Sequence, residues 1–166
     1  MASMVFIVFI LFVILLRIGE MVLSRRNEVW LLQHGAIETG QRHYPAIIAM
    51  HMMFFVSLIV EYSTKQTVSF NVFLLVLFFI LQAGKIWIVF SLGRFWNTKI
   101  YRIPDAPLIK KGPYRYFKHP NYMIVVIEIA VIPLMFQLVY TAIAFSLLNA
   151  IVLTVRIYEE NKVIAK

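Results

Sequence analysis

Long apolar runs dominate this chain, and polar residues collect in the short segments between them. A membrane-crossing helix needs roughly 20 mostly apolar residues, and three runs fit, over about 5–23, 45–60 and 68–92. A fourth apolar region, 122–155, has 34 residues and suits two short helices, 122–135 and 138–155. Pro133 and Gln137 mark the expected turn, because proline interrupts helical hydrogen bonding. The pattern predicts an all-α integral membrane protein of about five spans with a C-terminal helical hairpin. Four spans with a kinked last helix is the alternative.

Basic residues favour the five-span arrangement. Five spans place thirteen Lys and Arg residues on one face: three within 25–42, seven in the loop 93–121 and three in the tail 156–166. Lys65 alone lies in the connections on the other face. Basic segments tend to stay in the cytoplasm, so we expect the N-terminus outside and the C-terminus inside. The run Met1 to Leu16 lacks a basic n-region and a clear cleavage site, and we expect a retained span.

Composition adds limits to this picture. The 166 residues are 61% hydrophobic, against about half in a soluble domain, and we expect one membrane domain over 1–166. The net charge is +8, and most of the basic residues that produce it lie between the apolar runs. This position indicates topology signals and contacts with the lipid bilayer rather than with nucleic acid. The chain has no cysteine, and the spacing of His34, His43 and His51 fits no recognisable metal site.

Three ionisable residues lie within or near apolar spans. Buried charges cost several kcal/mol and often mark function. Arg17 and Glu20 lie near an interface, and we expect both to snorkel towards it. For Lys85 two interpretations stay open, snorkelling or lining a cavity.

One candidate for chemistry is the loop that ends Lys111-Gly112-Pro113-Tyr114-Arg115-Tyr116-Phe117-Lys118-His119-Pro120-Asn121-Tyr122. Gly112-Pro113 is a turn signal, and Pro120 suits the first turn of the next helix. The free N–H groups of a helix N-terminus favour an anion. The loop's aromatic and imidazole rings could stack on a flat base or a cation. An interfacial aromatic belt with basic anchors is the alternative.

The other candidate is the tail Arg156-Ile157-Tyr158-Glu159-Glu160. Residues three and four apart are neighbours on a helix surface, so Arg156 lies beside both Glu159 and Glu160. The arginine could orient an acidic acceptor while a glutamate holds a cationic donor. Ordinary surface ion pairing is the alternative.

Together these segments resemble the isoprenylcysteine carboxyl methyltransferase family. Gly112–Arg115 resembles its Gly-Pro-Tyr-Arg stretch, and Lys118–Tyr122 resembles Arg-His-Pro-x-Tyr with lysine for arginine. Arg156–Glu160 resembles Arg-Ile-x-x-Glu-Glu, and Leu92–Trp96 resembles Leu-Gly-x-x-Trp. The resemblance covers roughly residues 70–165. Ile124 stands where the family usually has glycine, and the aromatic tail of the eukaryotic enzymes is not seen after Glu160.

The resemblance implies S-adenosylmethionine as the methyl donor, held in a pocket at the cytoplasmic face. It implies cofactor contacts for His119, Pro120, Tyr122 and Glu160, with Tyr114 of the loop as a further candidate. It places Arg156 and Glu159 near the acceptor oxygen as catalytic residues.

The resemblance leaves several acceptors open. Family members without the aromatic tail include bacterial enzymes that methylate a hydroxyl on a long-chain polyketide or alkylpyrone, and we expect such a lipophilic acceptor, entering from the bilayer. A prenylcysteine carboxylate is the second choice and a phospholipid amine the third. A non-catalytic transporter or partner subunit would carry polar residues deep within several spans, whereas these gather at one face. A nicotinamide-dependent reductase is a further rival, but no clear Gly-x-Gly-x-x-Gly pattern occurs.

Overall fold

A computed structural model describes residues 2–41 and 44–164. Arg42, His43 and Lys166, which entered the charge and histidine arguments, lie outside the described residues. The described chain forms five α-helices and two short strands: α1 Ala2–Gln33, β1 Ile37–Thr39, α2 Tyr44–Thr64, α3 Val72–Leu92, β2 Ile100–Arg102, α4 Pro120–Leu134 and α5 Val139–Ile164. The all-α membrane class is confirmed. By length and composition, α1, α2, α3 and α5 can cross a membrane, whereas α4 has only 15 residues.

The first helix is longer than the apolar pattern predicts. The predicted span ends near residue 23, but α1 continues to Gln33. Its last ten residues lie beyond the apolar run. Ser24 and Asn27 on this part are buried, because they make hydrogen bonds to the loop after α3.

The break between α4 and α5 lies where proline predicts it. α4 ends at Leu134, one residue after Pro133, and Gln137 has a positive φ of 58°. Glu61 of α2 then accepts hydrogen bonds from the free backbone N–H groups of Tyr140 (3.2 Å) and Thr141 (2.7 Å). A carboxylate at a helix N-terminus satisfies these donors and complements the helix dipole, so α2 fixes the start of α5.

A closed ring of four charges joins α1, α3 and α4 inside the bundle. Arg17 lies 2.7 Å from both Glu20 and Glu128, and Lys85 lies 2.8 Å from Glu128 and 3.2 Å from Glu20. The expectation that Arg17 and Glu20 snorkel is therefore wrong. The expectation that the polar residues gather at one face is also wrong for these charges, which lie within three of the helices. Lys85 is 4% exposed and belongs to this ring, and it lines neither of the two cavities described below. Glu128 explains the difference, since it offers both cations a partner inside the bundle. We call these four residues the charge ring.

The polar connections meet at one end of the bundle. β1 and β2 pair antiparallel there, with Glu38 opposite Tyr101, and the C-terminal part of α5 lies beside them. At the other end, Phe6 of α1 stacks on Tyr62 at 3.7 Å, and Lys65 donates a hydrogen bond to the carbonyl of Gln137. The five helices thus alternate in direction between a basic end and an opposite end.

Candidate active site

A cavity of about 430 Å³ opens at the basic end, between the start of α4, the end of α5 and the loop from Leu92 to Tyr122. Ligand pockets commonly have volumes of this order. Five of the seven site residues predicted from the sequence line it, together with loop residues: Tyr114, His119, Tyr122, Arg156 and Glu160. The two polar segments, 34 or more residues apart in the chain, therefore form one site.

The loop reaches the cavity through a turn that requires glycine. Gly112 has a φ of 53°, and a Cβ built on it would lie 2.1 Å from Oγ of Ser91 on α3. The following short 3₁₀ turn, Gly112–Arg115, buries Pro113 against the bundle and presents Tyr114 to the cavity. Burial, with the Glu160 carboxylate nearby, raises the pKa of Tyr114 above its ordinary value, so the neutral hydroxyl is favoured further.

Three side chains from α4 and α5 form the centre of the site. Nε of Arg156 donates to the Tyr122 hydroxyl at 2.7 Å, and that hydroxyl donates in turn to Glu160. The guanidinium of Arg156 also lies over the Tyr122 ring, 5.3 Å from its centroid. Only 8% of Arg156 is exposed, and its Nη2 donates to the backbone carbonyl of Thr98. The arginine is therefore held in one orientation at the cavity wall.

His119 completes this centre from the position just before α4. Its ring stacks on Tyr122 at 5.4 Å between centroids, and its Nε2 lies 3.2 Å from Oδ1 of Asn161. Its Nδ1 lies 3.5 Å from the Glu160 carboxylate, which raises the pKa of His119 above its usual value. His119 is thus held closer to its cationic form than a free histidine.

Two of the predicted site residues lie apart from the cavity. Pro120 is buried as the first residue of α4, behind His119, where its fixed φ suits a helix start. Glu159 does not line the cavity and lies 2.9 Å from Lys162 on the outer side of α5.

A second, apolar cavity meets the first at His119 and Tyr122. This groove, of about 490 Å³, runs between α4 and α5 and has almost no polar surface. Its walls are mostly aliphatic: Met123, Val126, Ile127, Ala150, Leu153, Thr154 and Ile157. A polar cavity and an apolar groove thus open onto the same two side chains.

Charge in the polar cavity is unbalanced. Apart from His119, its lining cations are Lys99, Arg102, Lys110, Arg115, Lys118 and Arg156. Glu160 is the one carboxylate that lines it in the described part of the chain. Walls of one sign raise the local concentration of the opposite charge, so this cavity favours an anionic ligand or an anionic part of one.

Sequence reasoning missed several members of the site. Thr98 contributes a backbone carbonyl, which leaves no side-chain signal in a sequence. Tyr101 lines the cavity. Its hydroxyl donates to Glu28 of α1 at 2.7 Å and to Glu38 of β1 at 3.0 Å, so it holds β2 against both elements. Asn161 contacts His119 and follows Glu160 directly on α5, so its place next to a predicted site residue was a signal that could have found it. Within residues 2–41 and 44–164, no three His, Cys, Asp or Glu residues are grouped as metal ligands.

The fold and the site define a multi-pass membrane protein with a cofactor-sized cavity at one face. The profile of the isoprenylcysteine carboxyl methyltransferase (ICMT) family matches residues 73–166, more than half of the chain. The chain belongs to this family, whose membrane methyltransferases use S-adenosylmethionine in general.

Two curated relatives extend the likeness over most of the chain. An uncharacterized protein of Bacillus subtilis (strain 168), YpbQ, is 45% identical over 148 residues, 88% of each chain. An uncharacterized protein of Haemophilus influenzae (strain ATCC 51907 / DSM 11121 / KW20 / Rd) is 30% identical over 154 residues, 90% of this chain and 88% of the relative. No solved structure matches the chain.

Proposed function

We propose that this protein transfers a methyl group from S-adenosylmethionine to an acidic oxygen on a long-chain, lipid-like acceptor. The observation that carries the proposal is the junction at His119 and Tyr122, where the polar cavity meets the apolar groove. A donor in the cavity and an aliphatic chain in the groove would meet at these side chains. Such placement converts a reaction between two molecules into one between neighbours.

The residues of the cavity fit the chemical groups of the donor. The Glu160 carboxylate can hold a cationic amine, and the protonated form of His119 can hold a carboxylate. The ring of Tyr114 can stack on a flat base. When bound, S-adenosylmethionine supplies a methyl group that is already activated, which leaves alignment and a deprotonated acceptor to the protein.

Arg156 is the candidate for holding the acceptor oxygen. Its Nε and Nη2 are occupied by Tyr122 and Thr98, and no described residue accepts a hydrogen bond from its Nη1. A charge-assisted hydrogen bond from Nη1 stabilises an oxygen anion and lowers the pKa of a hydroxyl that carries it. Glu159 is also proposed to lie near the acceptor. It can do so only if its ion pair with Lys162 breaks and its side chain turns towards the cavity.

The cationic cavity supports an anionic acceptor over an amine. An acidic hydroxyl on a long-chain polyketide or alkylpyrone ionises readily, so it needs a cation and no strong base. A prenylcysteine carboxylate is the second candidate, because it offers Arg156 the same charge. A phospholipid amine would place a further cation among the six that line the cavity.

Methyl transfer in lipid nanodiscs tests this proposal. Labelled S-adenosylmethionine is offered with a long-chain hydroxypyrone, a prenylcysteine or phosphatidylethanolamine, and binding of NADPH is measured alongside. We expect labelling of the hydroxypyrone and no binding of NADPH. Val126→Trp should fill the groove and lower turnover at least about tenfold, about 1.4 kcal/mol, with donor binding unchanged. Val76→Trp, on the outer side of α3, is the matched control. Binding of NADPH without S-adenosylmethionine binding would refute the proposal.

A further inference from the structure

The last ten residues of α1, beyond its apolar run, are hydrogen-bonded to the loop that follows α3. We call these residues the α1 extension. Ser24, 3% exposed, donates its hydroxyl to Oδ1 of Asn97 at 3.0 Å and accepts from the backbone N–H of Thr98 at 3.1 Å. Nδ2 of Asn97 donates back to the Ser24 carbonyl at 2.9 Å. One turn further along α1, Nδ2 of Asn27 donates to the Trp96 carbonyl at 2.6 Å. The α1 extension therefore fixes the backbone of residues 96–98. We call Ser24, Asn27 and Asn97 the loop clamp.

A chain of hydroxyls extends the loop clamp to α2. The Thr98 hydroxyl lies 2.8 Å from Oγ of Ser24 and 3.0 Å from the Tyr44 hydroxyl. Because Ser24 donates to Asn97, the consistent direction runs from Tyr44 to Thr98, then to Ser24 and Asn97. Hydrogen bonds in such a chain strengthen one another. The buried Ser24 of α1 and the partly buried Tyr44 of α2 thus converge on Thr98.

Thr98 links this network to the active site, because its carbonyl accepts the hydrogen bond from Nη2 of Arg156. With Nε bound to Tyr122, the two bonds fix the plane of the guanidinium and so the direction of Nη1. Loss of the Thr98 bond would leave the guanidinium free to turn about Nε. A misplacement of about 1 Å at a reacting centre can lower a rate by about 10².

We propose that Ser24 and Asn97 are positioning residues for Arg156, acting through the Thr98 carbonyl to aim Nη1 at the acceptor oxygen. Ser24, Asn27 and Tyr44 precede residue 73, where the match to the family profile begins. The N-terminal helices therefore contribute to the geometry of the site as well as to the membrane anchor. The proposal rests on the proposed role of Arg156 in methyl transfer.

Ser24→Ala tests the clamp, with Ser57→Ala as the matched control. Ser57 also makes a hydroxyl–hydroxyl bond, 2.8 Å to Thr141, but at the opposite end of the bundle. We expect Ser24→Ala to lower kcat about tenfold while donor KM stays within about twofold. Ser57→Ala should leave both constants unchanged. Arg156→Lys should make the effect of Ser24→Ala disappear, because residues that act through one contact are not additive. Unchanged kcat in Ser24→Ala, or additive losses in the double variant, would overturn the proposal.

A second measurement needs no turnover. Nitrogen-15 NMR of arginine side chains reports rotation about the Nε–Cζ bond, and Arg156→Lys assigns the signal of Arg156. We expect slow rotation in the wild type and in Ser57→Ala, and faster rotation in Ser24→Ala. Equal rotation in all three proteins would refute the clamp. If the wild type transfers no methyl group but the NMR difference is present, the proposed function fails and the positioning role stands.

Discussion

Arg156 is the residue whose substitution best distinguishes a structural role from a role in methyl transfer. It is buried, bound through two of its three nitrogens, and part of the lining of the polar cavity. Lysine would keep the positive charge but cannot make both of these hydrogen bonds in the same plane. Substitutions here therefore distinguish two roles of Arg156. In one role the planar guanidinium orients the acceptor, and in the other its positive charge only anchors the end of the helix.

We expect Arg156→Ala to lower methyl transfer by about 30- to 1000-fold, since a charge-assisted contact used in the transition state contributes roughly 2–4 kcal/mol. Donor affinity, measured by calorimetry, should stay within a few-fold. Arg156→Lys should recover part of the rate. Val155→Ala, at an exposed position next to Arg156 on the same helix, is the control. Full activity of Arg156→Ala on the true acceptor would exclude this residue from the mechanism.

His119 should make stability depend on pH. Its folded pKa is raised by Glu160, whereas an unfolded histidine titrates near about 6.5. The stabilising His119–Glu160 pair is therefore fully present below about 6.5 and is lost as pH rises through the folded pKa. We expect the Tm to fall over this range in the wild type and to fall less in His119→Gln. Parallel Tm profiles for the two proteins would show that the pair contributes nothing.

At the scale of helices, the charge ring fixes α4, which carries His119 and Tyr122 at its start. Opposite charges alternate around the ring, so its net charge is zero. Removing one carboxylate leaves the buried Lys85 and the partly buried Arg17 with a single partner, and breaking a buried pair costs about 3–5 kcal/mol. The side chain of Glu128 is 1% exposed, which makes it the most sensitive member.

We expect Glu128→Ala to lower the free energy of unfolding by about 3–5 kcal/mol, measured by denaturant titration in detergent micelles. Glu128→Gln should lose less, because the amide keeps a hydrogen-bond acceptor. Ile127→Ala, at a neighbouring half-exposed position of α4, is the control. The ring would have no stabilising role if Glu128→Ala and Ile127→Ala unfolded alike.

The apolar pattern predicted where the helices lie but not what joins them. Runs of apolar residues and Pro133 were sufficient to separate α4 from α5. The ring was missed because Glu128 is a single charge in a long apolar run, although Arg17 and Lys85 in two other runs outnumber their nearby acidic partner Glu20. The strand pair was missed because each strand has three residues and pairs across more than 60 positions of sequence. At the site, motif order predicted the meeting of loop and tail, whereas the Thr98 carbonyl depended on backbone geometry.

For the whole molecule, the direction of the five helices makes a topology prediction. The connections rich in Lys and Arg share the basic end, and Lys65 lies at the other. By the positive-inside tendency, we expect the basic end in the cytoplasm. Two reporters test this orientation, one that is active only in the cytoplasm and one that is active only outside it. Fused after Lys166, only the cytoplasmic reporter should be active; inserted after Lys65, only the external one should be. External activity after Lys166 would contradict this orientation.

The shortness of α4 has a consequence for the surrounding lipid. Its 15 residues rise about 22 Å, well below the roughly 30 Å of hydrocarbon in a bilayer. A bilayer adapts to a short hydrophobic segment by thinning around it. The leaflet at the basic end should therefore dip beside His119, at the mouth of the groove between α4 and α5. The headgroup plane then descends to the level of the site, and a lipid-like molecule brings its polar oxygen to Arg156 while its chain stays in the membrane.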